Sequence, residues 1–249
     1  MTAEAPTGRD PILETNGLRK DFGGLTAVDD VDYRLPRGDI QCLIGPNGAG
    51  KSTFFGLLTG QLSPTDGTIR YRGEDITDLM PHERVRRGIS LKFQKLNIYE
   101  GLTVSENLRI PCQRRDRDTE TLIEELARRV DLDGKLQEPV DVLSYGEQQW
   151  LEIGMSIAVE PELLLLDEPT AGMTVEETER TGELIQSLVD NRDMTALVVE
   201  HDIDFVRQIA EEVTVLHNGS VFRRGTIEDV SNDPEVKRIY LGEEYGDDG

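Results

Sequence analysis

Three short stretches carry residue types at spacings that suit chemistry on a phosphate. The first is "GPNGAGKST", Gly45 to Thr53, which satisfies the spacing G-x-x-x-x-G-K-[ST]. Glycines in such a turn let consecutive backbone N–H groups face inward around an anion, and a helix starting at the lysine adds the positive end of its dipole. Gly45, Pro46, Asn47, Gly48, Ala49, Gly50, Lys51, Ser52 and Thr53 are therefore the expected phosphate contacts. Lys51 is placed to reach the β- and γ-phosphates of a nucleotide, and the Ser52 hydroxyl to bind magnesium. The second stretch, "LLLLDEP", Leu163 to Pro169, reads as an apolar strand that delivers two carboxylates to a sheet edge. Asp167 can hold the magnesium through water. Glu168, pointing to the other side, can orient and deprotonate an attacking water. Alone, each stretch also fits an ordinary glycine turn or a solvated acidic strand end; paired, they point to nucleotide hydrolysis.

The third stretch, "LSYGEQQ", Leu143 to Gln149, is too polar for a core. Ser144 and Glu147 stand three apart, the spacing of a capping box. Capping accounts for those two residues but not for Gly146 beside an exposed Tyr145. A helix that opens this way presents N–H groups and a positive dipole end to an anion.

The elements that must position these residues follow from the hydrophobic pattern. "ILETNGLRKDF", "AVDDVDYRLPRG" and "DGTIRYRGEDI" read as half-exposed strands of a small antiparallel layer. "DIQCLIG" is a short apolar strand before the glycine turn, and "KSTFFGLLTG" is the helix after it. "PHERVRRG" reads as a helix with proline in its first turn, and "ISLKFQ" as a strand. From about Thr103 to Ile157 the pattern is helical. Strands and helices then alternate through "ELLLLD", "VEETERTGELIQSLVDN", "TALVVEH", "DIDFVRQIA" and "VTVLHNGSVFRRG", which argues a mostly parallel sheet with a closing hairpin at "HNGS". The last segment, "SNDPEVKRIYLGEEYGDDG", reads as one short helix and an acidic end.

Composition narrows the class. The 249 residues, 37% of them hydrophobic, suffice for one large α/β domain, and the longest apolar run is four leucines, far below the ~18 residues that cross a bilayer. No apolar leader segment stands near Met1, so a cytoplasmic chain is expected, with any membrane role supplied by partners. The net charge is −22, from 49 acidic against 27 basic residues. Acids such as those of "EETER" and "GEEYGDDG" are expected on the surface, and the balance suits a salt-rich cytosol in which screening removes self-repulsion. No basic stripe exists to meet nucleic acid. Cys42 and Cys112 make no metal spacing and are expected reduced, Cys42 as strand core.

Together the three stretches, in this order, resemble the ATP-binding subunits of ABC transporters, with "LSYGEQQ" as the signature segment. The resemblance runs from about Ile12 to Gly225, and to Gly242 in one branch. It implies an α/β, P-loop NTPase (RecA-like) fold: a mostly parallel sheet core with an antiparallel β layer (12–94 and 158–225), an inserted α-helical subdomain (95–157), a C-terminal extension (226–242) and an acidic tail (243–249). It implies ATP and Mg2+ as ligands, and a head-to-tail pair in which Ser144, Gly146 and Glu147 meet the γ-phosphate held by a second ATP-binding subunit. Gln94, in "LKFQKLNIYEG", matches the glutamine that contacts magnesium and links core to subdomain. His201, in "VVEHD", matches the histidine that bonds the γ-phosphate. Phe22 matches the aromatic that stacks on adenine, with Val28 beneath the same ring. Lys51, Glu168, His201 and Gln94 are thus the expected catalytic set, and Ser52, Gln94 and Asp167 the expected metal ligands.

Two departures mark a branch. Tyr145 stands where a first glycine is usual, and "TAGMT" lacks the usual aspartate after the catalytic glutamate, leaving Gly172 and Met173 as dimer-contact candidates. Both departures resemble importers of urea and of branched-chain amino acids, and "LSYGEQQWLEIGM", "EPTAGMTVEETERT", "KFQKLNIYEGLTVSENL" and the C-terminal stretch look closest to the urea importer's ATPase. That branch implies transmembrane permease subunits, an extracytoplasmic solute-binding protein and a heterodimer of two different ATPases ahead of a homodimer. Leu96, Ile98 and Tyr99 are expected to meet the permease. A kinase or GTPase is disfavoured because no Asn/Thr-Lys-x-Asp motif occurs, and a DNA- or ribosome-directed ATPase because no coiled-coil insert or basic face is visible.

Overall fold

The computed structural model describes residues 10–92, 96–112, 118–190 and 194–242. Two kinds of hydrophobic pattern build two sheets. β1 (Pro11–Phe22), β2 (Leu25–Pro36) and β4 (Asp66–Tyr71) mix buried and exposed residues, and with the exposed two-residue β5 (Glu74–Asp75) they pair antiparallel in the order β2-β1-β4-β5. β3 (Ile40–Ile44) and β8 (Thr195–Val199) are buried at every residue, as strands covered on both faces must be. With β6 (Ile89–Lys92), β7 (Leu163–Asp167), β9 (Glu212–His217) and β10 (Ser220–Gly225) they form the second sheet, order β10-β9-β3-β8-β7-β6. All its pairings are parallel except the closing hairpin β9–β10, where Asn218 and Gly219 both take positive φ at the predicted turn.

Alternation along the parallel strands divides the core in two. Cys42, Ile44, Leu164, Leu166, Ala196 and Val198 face one way, and Leu43, Leu163, Leu165, Leu197 and Val199 the other. The second set packs with α1 (Lys51–Thr59) and the antiparallel sheet. The first set packs with α3 (Val104–Cys112), α4 (Thr119–Arg129), α5 (Tyr145–Ile157), α6 (Val175–Val189) and α7 (Ile203–Ile209). α2 (Pro81–Arg86) precedes β6, and its Arg84, fully buried, donates to the carbonyls of Leu57 and Leu58 at the end of α1. Both cysteines are buried and free, and burial pushes the Cys42 thiol well up.

The short C-terminal helix expected from the sequence is α9 (Pro234–Gly242), and a further short helix that the sequence reading did not anticipate, α8 (Ile227–Asn232), precedes it. The break falls at Asp233, whose carboxylate accepts from the Glu235 and Val236 amides while Pro234 starts the next helix. The acidic tail, 243–249, lies outside the described residues. Among the described residues no helix is long and apolar enough to cross a membrane.

Parallel register decides where the chemistry gathers. Leu43 and Asp167 both pair with Val199, so the ends of β3, β7 and β8 share one edge. That edge carries the glycine turn, the two carboxylates and the residues after Val199, which is the crevice where open α/β sheets bind ligands.

Candidate functional site

At the turn after β3, Gly45 and Gly50 take positive φ, and a Cβ on either would stand 2.3 Å from a carbonyl oxygen, of Leu216 or Ala27. Only glycine allows this close passage. α1 begins at Lys51 with no side-chain cap, so its first N–H groups are left for a ligand. Lys51 is 8% exposed and donates to the Gly45 and Pro46 carbonyls at 2.5 and 3.1 Å. The ammonium therefore lies folded into the loop and must swap these carbonyls for phosphate oxygens to act as predicted. Asn47, Gly48 and Ser52 are exposed, Gly50 and Thr53 half-buried, and Pro46 and Ala49 buried, the last packed into the core. Ala49 can meet a phosphate only through its backbone, and Pro46, which has no N–H, brings no donor of its own.

Phe22 is 45% exposed, with the Lys20 ammonium 5.2 Å from its ring centroid, and its ring is open for stacking. Val28 differs from expectation: it has no exposed surface and belongs to the core under the antiparallel sheet. The sequence pattern could not distinguish a residue beneath a base from one sealed under its strand.

At the other side of the crevice, β7 ends on Asp167. Glu168 is redirected by a left-handed backbone, φ 47°, and not by strand alternation as expected. The Glu168 N–H donates to the Val199 carbonyl at 2.9 Å, which ties that turn to β8. His201 is mostly exposed, its Nδ1 3.9 Å from Glu168 Oε1 and 3.8 Å from Glu200 Oε2. Burial first, then the neighbouring Glu168 charge, push the Asp167 carboxyl up to about 6, against the pull of Lys92 and Lys51. A carboxylate so placed gains from a cation, and the open Ser52 hydroxyl adds an oxygen ligand, so the donor set fits magnesium. Gln94 lies outside the described residues.

Sequence reasoning missed charged groups at three places around this edge. Glu200 is fully buried, and its carboxylate accepts from Thr170 N (3.1 Å), Thr170 Oγ1 (2.6 Å) and His201 N (3.1 Å). It thus joins the loop after Glu168 to the residue before the histidine. An acid directly following the apolar run "TALVV" was the available signal. Lys92 and Glu152, both buried, face each other at 3.7 Å, and Glu152 also accepts from the Asn97 amide at 3.0 Å. This pair links the end of β6 to α5 and to the segment that follows Gln94. Burial pulls Lys92 down and pushes Glu152 up, which marks the cost that their mutual attraction offsets.

The third place is the head of α5, where Glu177 of α6 approaches. The predicted capping box is present: Ser144 Oγ accepts from the Glu147 amide, and Glu147 accepts from the Ser144 amide. Glu147 is further held by Lys135 at 2.7 Å, so it braces the helix start instead of reaching outward as a nucleotide contact. The Tyr145 ring lies against Gly172, where a Cβ would come within 3.3 Å of it, and its hydroxyl accepts from Gln149. Met173 is partly buried on the core and its sulfur accepts from Thr181. Ser144 Oγ donates to Glu177 Oε1 on α6 at 2.9 Å. Glu177 was read only as part of an exposed acidic run; its pairing was invisible because α5 and α6 meet across the fold.

The comparisons with known proteins agree with this geometry. A family model described as ABC transporter matches residues 28–171. The chain is 35% identical over 251 residues to the high-affinity branched-chain amino acid transport ATP-binding protein BraF of Pseudomonas aeruginosa, covering 94% of this chain and 98% of that one. It is similar, with 29% identity and a TM-score of 0.86, to the ADP conformation of MJ1267, an ATP-binding cassette of an ABC transporter, over 94% and 99% of the two chains. It is also similar, with 26% identity and a TM-score of 0.76, to MJ0796, an ATP-binding cassette solved as a dimer in a post-hydrolysis state with ADP and Pi, over 86% and 98% of the two chains.

Proposed function

Because the chain belongs to the ABC transporter family and is an ATPase of that family, we propose that it powers the import of branched-chain amino acids through a membrane permease. The observation that carries this choice is the near full-length similarity to BraF, whose description is branched-chain amino acid transport. It displaces urea, which the sequence analysis had put first. The segments behind the urea reading belong to the nucleotide site and the C-terminal helices, and none meets the transported solute.

In this reading ATP sits on Gly45–Thr53 of one head, with Phe22 stacked on the base, and Ser144 and Gly146 of a second head close on the γ-phosphate. Glu168 takes a proton from the attacking water as its oxygen bonds the γ-phosphorus and the bond to the bridging oxygen breaks. Lys51, freed from the loop carbonyls, and His201 stabilise charge on the γ-oxygens. Magnesium, when bound, would neutralise the β- and γ-oxygens, held by Ser52 and Asp167. The second head is a different ATPase or a copy, and the solute-binding protein acts only through the permease. We take residues 95–157 as the subdomain that carries the pull, with 12–94 and 158–225 as the core and 226–242 as an extension. Tyr99, half exposed, is the residue offered to the permease, whereas Ile98 packs inward on the core. Attachment to the membrane is peripheral.

Reconstitution with the cognate permease and solute-binding protein tests the assignment. Leucine should raise ATP hydrolysis; stimulation by urea and not by leucine would overturn it.

A further inference from the structure

The head of α5 is already holding an anion. Ser144 Oγ has one proton, which it gives to Glu177 Oε1 at 2.9 Å while it accepts from the Glu147 amide at 3.2 Å, so its single donor is committed within the chain. The second Glu177 oxygen accepts from Thr174 N and Thr174 Oγ1 at 3.0 and 3.1 Å. A Cβ at position 146 would lie 2.6 Å from both Cδ and Oε1 of Glu177, so Gly146 is what lets the carboxylate approach this closely. The hydrogen bonds from Thr174, Ser144 and Gly146 hold the Glu177 carboxyl below its usual range, so it is an anion at neutral pH.

We propose that Glu177 stands in for the γ-phosphate: its carboxylate occupies the phosphate seat at Ser144 and Gly146 between turnovers, and the partner head's ATP must displace it for the two heads to close. The inference rests on the head-to-tail pairing proposed above. The physical grounds are exclusion and charge. One hydroxyl proton cannot serve two anions, and a carboxylate beside a phosphate is repelled by it. Displacement is feasible because the side chain keeps the Thr174 donors of its own helix when it lets go of Ser144. After hydrolysis and phosphate release the carboxylate returns to the seat and favours the open pair. Glu177 is therefore a residue of the pairing equilibrium, and it sets how much ATP closure requires.

The plain alternative is that Glu177 only caps α6, where it is the third residue of a capping box. Glutamine serves that position as well as glutamate, so Glu177→Gln keeps the cap while removing the charge. The experiment uses the full-length chain with its partner ATPase, in a Glu168→Gln background that binds ATP without turnover. Pairing is followed by light scattering against Mg-ATP concentration. The added E177Q change should lower the half-saturating ATP by about tenfold, the scale of one charge-assisted hydrogen bond, with the unfolding temperature within a few degrees of the parent. An ATP requirement that is unchanged or raised would overturn the proposal. Ser144→Asp in the same background tests the pairing itself, since aspartate also caps a helix yet fixes an anion in the seat. It should abolish ATP-driven pairing. If S144D pairs like its parent, the head-to-tail reading fails and Glu177 has no seat to guard, a failure distinct from an inert E177Q.

Discussion

Glu200→Ala isolates the buried carboxylate at the sheet edge. The side chain is fully buried and takes three donors, Thr170 N, Thr170 Oγ1 and His201 N, at 2.6 to 3.1 Å. Alanine leaves all three without an acceptor. Hydrogen bonds to a charged group contribute about 1.5–3 kcal/mol each, but they are not additive, and water entering the space recovers part of the loss. Removing the buried charge also returns some desolvation cost. The balance is a destabilisation of about 3 kcal/mol, or roughly 6–12 °C in melting temperature for a chain of this length. The effect on turnover should exceed what stability alone explains. The Glu168 turn, held left-handed at φ 47°, and the backbone of His201 are both tied to this carboxylate. Loosening them should cost about 10²-fold in kcat with little change in ATP affinity. Glu200→Gln keeps an acceptor for Thr170 but turns an amide toward the His201 N–H, so it should recover most of the stability and part of the rate. Thermal unfolding, steady-state hydrolysis and fluorescent-nucleotide binding measure the three quantities separately. Turnover in E200A equal to that of the parent would refute the assignment of this carboxylate to the catalytic edge.

Four further outcomes are expected. Glu168→Gln, with the partner ATPase present, should give an ATP-held pair with hydrolysis nearly abolished, seen by size-exclusion chromatography; separate heads at saturating ATP would argue against head-to-tail pairing. Asp167, raised to about 6 from 3.8, favours the nucleotide-free fold in its protonated form, so that contribution is complete below about pH 4 and is lost as pH rises through 6. Asp167→Asn should therefore stabilise the protein relative to the parent at pH 7–8 and not at pH 4; a difference independent of pH in thermal unfolding would contradict the burial argument. Changing Tyr99, which is 51% exposed, to Ala should leave hydrolysis but uncouple it from uptake in vesicles, and normal uptake would remove this residue from the permease contact. With a net charge of −22, melting temperature should climb between dilute buffer and molar KCl, and a flat response would dismiss salt adaptation.

The amino-acid sequence by itself determined what depends on neighbours along the chain. The glycine turn, the capping box at Ser144, the apolar strand ending in Asp167 and the Asn218–Gly219 hairpin are local. Backbone geometry and donor count are complete within a few residues, so residue type and spacing specify them. The acidic surplus is likewise a sum over residues. Tertiary structure decided everything that depends on which strand ends and helix ends meet. Glu200 holds Thr170 across 30 residues, Ser144 meets Glu177 across 33, and Asn97 meets Glu152 across 55. The same holds for Val28, sealed beneath a strand that looked half-exposed, and for Lys51, turned back onto its own loop. Such pairings depend on sheet register and on the packing of α5 against α6, and a shift of one residue in either would separate the partners. That is why an acid read as one more surface charge proves to accept a hydrogen bond from Ser144 at the head of α5.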